Sequence, residues 1–229
     1  MRSAGHASAV AVSELLWGEE FDLFDISGDW GFGRTVYDQY TGWVSMAALG
    51  NEAGHAPMAV TARSAPLFAD PDIKAVVTIE LPFGAQIAGV EQGQFLSVSS
   101  GGFIHLRHLQ PLTETPLAIA RRFIGAPYLW GGRTPLGVDC SGLVQAALRG
   151  CGIACPRDSD QQRDMLGTAV DFADRRGGDL VFFPGHVGIL VDADTLFHAN
   201  AWWMAVVEEP LADVIARLGD GVVTAVRRI

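Results

Sequence analysis

Charge is scarce in this 229-residue sequence, and positive charge is scarcest: Asp, Glu, Lys and Arg make up 18% of it, with 26 acidic residues against 16 Lys and Arg. The formal net charge is -10. No basic stripe runs along the chain, which argues against a nucleic-acid partner and against an anionic membrane, because both need a Lys/Arg surplus to displace counterions. A small cationic group such as an amine suits a local acidic residue better. Cysteine is rare too. The three present, Cys140, Cys151 and Cys155, are an odd number, unlike a secreted disulfide framework, and fit a reducing compartment. No apolar run of about 18 residues is available to span a membrane, and residues 1–12 lack the apolar core of about 7–15 residues that marks a secretory signal. A chain that begins here is expected to be cytoplasmic. What the sequence does have is apolar material, 49% of its residues, enough for one large domain or two to three small ones.

The first half carries a weak internal repeat. Glu14-Leu15-Leu16-Trp17-Gly18 recurs 66 residues later as Glu80-Leu81-Pro82-Phe83-Gly84, Asp29-Trp30 is echoed by Gln94-Phe95, and Gly42-Trp43-Val44 by Gly102-Phe103-Ile104. Order and approximate spacing are kept, as in a duplicated module. Each copy reads as short strands, over 20–24, 30–37 and 43–45 in the first and 73–79, 85–90, 95–98 and 103–106 in the second. Turns such as Ser27-Gly28 and Ser100-Gly101-Gly102 separate them. That density of strands predicts small β-barrels.

The pattern changes at Pro111. Thr115 is placed to cap a helix that begins at Pro116 and stops at Gly125 and Pro127. A second helix is predicted over 140–149, with Gly150 ending it. After Gly177-Gly178 come strands over 180–183, 186–191, 195–199 and 222–227. The second half is therefore expected to be α+β, helices first and an antiparallel sheet after.

A thiol attacks a carbonyl well only as thiolate. Cys140, in Asp139-Cys140-Ser141-Gly142, falls at a helix start, where unpaired N–H groups favour negative charge and predict a lowered thiol pKa. Cys151 and Cys155 form a C-x-x-x-C pair, but no second ligand pair follows, so they read as packing residues and no metal is expected. A cysteine nucleophile needs a base, and His186 and His198 are the candidates. If Val191 pairs with Thr195, then Gly188 faces His198, and His186 lies diagonally on the same face within roughly 7 Å. A slip of one residue separates them. His6, His55, His105 and His108 receive no role.

Four segments in this order, Pro127-Tyr128-Leu129-Trp130-Gly131-Gly132, Asp139-Cys140-Ser141-Gly142-Leu143, Gly178-Asp179-Leu180-Val181-Phe182-Phe183 and His186-Val187-Gly188-Ile189, resemble the signature of the NlpC-type papain-like cell-wall cysteine peptidases. The likeness covers residues 116–229. The first half resembles bacterial SH3-like domains, through Gly42-Trp43-Val44 and, more loosely, Gly102-Phe103-Ile104. The resemblance implies a first SH3-like barrel over 1–55, a second over 56–112 and an α+β papain-like peptidase domain over 113–229.

It further implies Cys140 as nucleophile, His186 as base and His198 as the group that orients it. The oxyanion needs donors, for which the Cys140 N–H and the Tyr128 hydroxyl are the candidates, and Ser141 and Trp130 are expected substrate contacts. This arrangement of domains is similar to the γ-D-glutamyl-L-diamino acid endopeptidases, which cut stem peptides bearing a free N-terminal L-Ala. By that likeness Asp158, with Ser159, takes the terminal amine, and Tyr40 of the first barrel lines the pocket. Read without the likeness, Asp158 caps a helix. The expected partners are peptidoglycan-derived peptides, L-Ala-γ-D-Glu-diamino acid, with no cofactor. Two other readings stay open: a different amidase or acyltransferase on the same fold, and a non-catalytic wall-peptide binder.

Overall fold

Alternating burial organises the N-terminal strands. In the computed structural model, which describes residues 1–50, 58–219 and 221–229, β1 (Phe21–Ser27), β2 (Trp30–Thr35) and β3 (Thr41–Ser45) form an antiparallel meander in that order. In β2 and β3 every second residue is buried, the period of two that a half-covered sheet requires. Phe32 and Trp43, cross-strand partners, meet with ring centroids 5.3 Å apart and planes tilted by 45°.

Next come β4 (Met58–Ala59), β5 (Ser64–Phe68), β6 (Val77–Pro82), β7 (Gln86–Ile87), β8 (Gly89–Gln92), β9 (Phe95–Val98) and β10 (Phe103–His105). They make a five-stranded antiparallel sheet in the order β6-β5-β10-β9-β8 and a β4-β7 pair. Val60, Leu67, Leu81, Ile87, Leu96, Val98 and Ile104 form the core. The repeat has a structural counterpart: β8-β9-β10 is a meander like β1-β2-β3, and each is followed by a 3-10 turn, over Met46–Ala48 and Leu106–His108. Gly18 and Gly84, matched in the repeat, both have left-handed backbone, φ 75° and 86°, which a side chain would strain. Residues 1–112 form one compact unit and 113–229 another. The expected division at 55/56, like His55, lies outside the described residues. Residues 73–76, expected to start a strand, lie in a turn, and β5 was not anticipated.

The second unit contains α1 (Pro116–Ala120), β11 (Arg133–Thr134), β12 (Gly137–Val138), α2 (Cys140–Gly150), α3 (Ser159–Met165), β13 (Thr168–Ala169), β14 (Leu180–Phe183), β15 (His186–Leu190), β16 (Thr195–Asn200), β17 (Ala205–Pro210), α4 (Leu211–Leu218) and β18 (Ala225–Arg228). Thr115 caps α1 by accepting from the Ala118 N–H at 3.3 Å. The helix then tightens to a 3-10 turn over Arg121–Phe123, so it is shorter than the sequence predicts. A six-stranded antiparallel sheet, order β13-β18-β14-β15-β16-β17, forms the body. Val181, Phe183, Leu190 and Leu196 of one face pack with Leu211 and Val214 of α4, while α2 packs against β15 and β16. No described helix is long and apolar enough to cross a membrane.

Candidate active site

Helix α2 begins where Asp139 accepts a hydrogen bond from the Gly142 N–H at 2.7 Å. The same carboxylate accepts from the Gly131 N–H at 2.8 Å and from Arg157 at both oxygens, 3.0 and 2.6 Å. Arg157 also donates to Ser141 Oγ at 2.8 Å and is 1% exposed. This ion pair ties the 157–159 segment to the start of α2. Ser141, expected to touch substrate, has a buried side chain, and its hydroxyl is held between Asp139 and Arg157.

Cys140 is buried, with a free thiol, and its sulfur accepts hydrogen bonds from the backbone N–H groups of Val187 and Ser141. The Val187 bond follows from the sheet. Val191 N–H donates to Thr195 on β16, and N–H direction alternates along a strand, so Val187 N–H points the same way. The β15-β16 ladder pairs only Ile189 with Phe197 and Leu190 with Leu196, which leaves the Val187 donor to the sulfur. The nucleophile candidate therefore sits at the residue adjoining His186.

The helix-start argument predicts a lowered thiol pKa, and the structure reverses its sign. Burial, then the Asp139 charge, push the thiol up to about 11, against the opposing pull of the two N–H groups and Arg157. Burial and the neighbouring His198 push His186 down to about 3. Both shifts favour the neutral thiol and the neutral imidazole.

The conditional register is the one observed. Val191 pairs with Thr195, so Gly188 lies opposite His198, and His186 Nε2 meets His198 Nδ1 at 2.8 Å. A Cβ at Gly188 would stand 3.0 Å from His198 Cβ and 2.8 Å from the Leu196 side chain. The bare backbone is what lets these strands approach. His198, fully buried, turns Nε2 to Glu209 Oε1 at 2.8 Å. Glu209 also accepts from Asn200 at 3.0 Å, from Trp203 Nε1 at 3.1 Å and from Arg217 at 2.8 and 2.6 Å. Burial opposes its ionisation, but these bonds outweigh it and hold the carboxyl at about 2. The sequence reading missed Glu209, Asn200 and Arg217, and also the strand and helix that carry Glu209 and Arg217. The apolar spacing Leu211, Val214, Ile215 behind Pro210 was the available helix signal.

Tyr128 lies close to Cys140. Burial raises its phenol to about 12, with the charges of Cys140 and Asp139 adding, so it is a protonated donor at neutral pH. Asp158 stands at the N-cap position of α3 without a side-chain capping bond, and Ser159 opens that helix, partly exposed. Gln162 ties α3 to α2 by donating to Ser141 O at 2.9 Å. Trp130 is 61% exposed. Tyr40 belongs to the other unit, where it closes a turn by donating its N–H to Thr35 Oγ1 at 3.1 Å. Cys155 is buried and Cys151 partly so. Among the described residues no group of His, Cys, Asp and Glu is arranged to hold a metal ion.

Residues 125–213 match the model of the NlpC/P60 family, and residues 1–49 that of the bacterial dipeptidyl-peptidase SH3 domain. Dipeptidyl-peptidase 6 of Lysinibacillus sphaericus is 26% identical over 84% of this chain and 81% of its own length. The γ-D-glutamyl-L-lysine dipeptidyl-peptidase of Bacillus subtilis is 36% identical over 34% of this chain and 28% of its own. The bifunctional muramidase/DL-endopeptidase CwlT of the same organism is 38% identical, over 38% and 29%. The chain thus spans under a third of these last two relatives. The crystal structure of an NlpC/P60 family protein from Bacillus cereus superposes with a TM-score of 0.80 at 23% identity, over 95% of this chain and 81% of that one, and so shares its fold.

Proposed function

We propose that this chain, an NlpC/P60 domain behind a bacterial dipeptidyl-peptidase SH3 domain, is a cysteine peptidase that hydrolyses the γ-D-Glu–diamino acid bond of stem peptides with a free N-terminal L-Ala. The observation that carries the reading is the Cys140 sulfur seated on the Val187 N–H, next to a histidine pair joined at 2.8 Å. In this reading His186 takes the thiol proton as the sulfur attacks the amide carbonyl. The imidazolium then gives that proton to the leaving amine, and water releases the acyl group. Cys140 N–H and Tyr128 OH supply the oxyanion donors.

Specificity rests on Asp158 and Ser159. Arg157, the residue before them, is locked to Asp139 at the head of the nucleophile helix, which supports a carboxylate held at a fixed place in the pocket for the L-Ala ammonium. Trp130, exposed in the loop after Tyr128, is a further substrate contact. The five-stranded sheet is read as a second SH3-like barrel because its meander and 3-10 turn echo the first. A free amine is produced once a stem peptide has left its glycan, so the role is recycling of murein peptides, consistent with a cytoplasmic location.

The test is mass spectrometry of L-Ala-γ-D-Glu-diamino acid tripeptide incubated with the purified chain. Release of L-Ala-D-Glu and free diamino acid by wild type, with none from Cys140→Ala, is the expected result. Turnover retained in Cys140→Ala would overturn the reading.

A further inference from the structure

Behind His186 runs a chain of groups that the family signature does not include, and its hydrogen bonds constrain where the protons lie. Glu209 is ringed by donors: Oε1 receives His198 Nε2, Asn200 Nδ2 and Arg217, and Oε2 receives Trp203 Nε1 and Arg217. An ionised carboxylate only accepts, so His198 must carry its proton on Nε2. Asn200 Nδ2 also stands 3.2 Å from that Nε2, but the carboxylate oxygen is nearer, at 2.8 Å, and a bare nitrogen facing it is repelled, so the carboxylate sets the proton. Asn200 Oδ1 accepts the Trp202 N–H at 2.6 Å, which turns the amide NH₂ towards Glu209, where it donates at 3.0 Å.

Neutral His198 then has a bare Nδ1, and the 2.8 Å contact requires His186 to donate from Nε2. What remains on His186 is an unprotonated Nδ1. The opposite set of tautomers would press an imidazole lone pair against a carboxylate oxygen at 2.8 Å.

We infer that Glu209, clamped by Arg217, is a positioning residue that sets the tautomers of both histidines, leaving Nδ1 of His186 as the proton acceptor, and that the balance of this ion pair governs how readily His186 takes a proton. The inference rests on the reading of Cys140 as nucleophile and His186 as base. The charged and titratable groups facing this chain are His186 on β15, His198 on β16, Glu209 on β17 and Arg217 on α4. Asp213 acts on Arg217, and Cys140, at the head of α2, receives the N–H of Val187, the residue after His186. The guanidinium of Arg217 also lies 5.6 Å from the Trp202 ring centre, which helps hold it in place.

The experiment compares wild type with Glu209→Gln and Arg217→Met in the rate of Cys140 alkylation by iodoacetamide across pH, a readout that needs no peptide. Removing the carboxylate charge should move the acid limb of the profile to lower pH, and removing the guanidinium should move it to higher pH, each by about one unit. A merely structural ion pair would lower the melting temperature in both variants and move neither limb, which would overturn the inference. On the tripeptide, Glu209→Gln should lower kcat at least about tenfold with KM little changed.

If a variant fails to fold, the wild type alone decides. Long-range proton–nitrogen spectra of nitrogen-labelled protein at neutral pH should show both His186 and His198 protonated at Nε2. A proton on Nδ1 of His198 would also overturn the inference. Opposed limb shifts in a protein that leaves the tripeptide intact would sink the peptidase reading and leave the relay standing.

Discussion

Arg157 grips both carboxylate oxygens of Asp139, at 3.0 and 2.6 Å, with side chains 1% and 8% exposed. The pair joins two segments: Asp139 caps the helix that begins at Cys140, and Arg157 precedes the residues read as the amine site. Removing one partner of such a buried pair leaves an uncompensated charge and costs about 3–5 kcal/mol. Arg157→Met should therefore lower the urea midpoint markedly, and Arg157→Lys should recover only part of it, since an ammonium cannot reproduce the planar fork. An Arg157→Met protein as stable as wild type would show that water replaces the guanidinium.

Stability should depend on pH from both sides. His186, ordinarily near 6.5, is held at about 3 in the fold, so below 6.5 the unfolded chain binds a proton that the folded chain refuses. Its stabilisation is complete above 6.5 and is lost as pH falls towards 3. Glu209, lowered from 4.5 to about 2, adds to the loss below 4.5. Cys140, raised from 9.0 to about 11, works on the alkaline side: above 9 the unfolded thiol ionises first, and stability falls towards 11. Melting temperature should plateau between about 6.5 and 9. Cys140→Ala should weaken the alkaline decline between 9 and 10, leaving the contribution of Cys151, which burial and Glu114 also raise, before Tyr128, raised to about 12, adds above 10. An alkaline limb unchanged in that variant would contradict the assignment to the thiol.

The amine site gives a two-by-two test. N-acetylating the tripeptide should lower kcat/KM by about ten- to a hundredfold, the range for a charge-assisted contact of about 1.5–3 kcal/mol. Asp158→Asn should lose a similar factor on the free peptide and little more on the acetylated one, and that non-additivity marks a direct contact. Were acetylated peptide cut as fast as free peptide, the recycling role would be abandoned in favour of wall hydrolysis.

Local signals were the legible ones. The helix start at Cys140 reads from the residues around it, and the histidine register follows from a short turn between two apolar strands. Glu209 was illegible for the opposite reason. Its partner His198 is fixed only by the pairing of β17 beside β16, which sets Leu196 against Glu209, and an acidic residue next to Glu208 and Pro210 looks like solvated charge. Arg217 depends on α4 folding back to that same carboxylate. The sign of the Cys140 shift failed likewise, since a helix start is written in the sequence but the burial of its first residue is not.

Gly188 makes position 188 as selective as any reactive group. A side chain there would press on His198 Cβ and on Leu196, so Cys140, His186 and His198 can all be kept while the contact that couples the two histidines is pried apart. An inventory of Cys140, His186 and His198 therefore does not by itself separate a working peptidase from a wall-peptide binder. The distinction passes through a hydrogen atom where other residues carry a carbon.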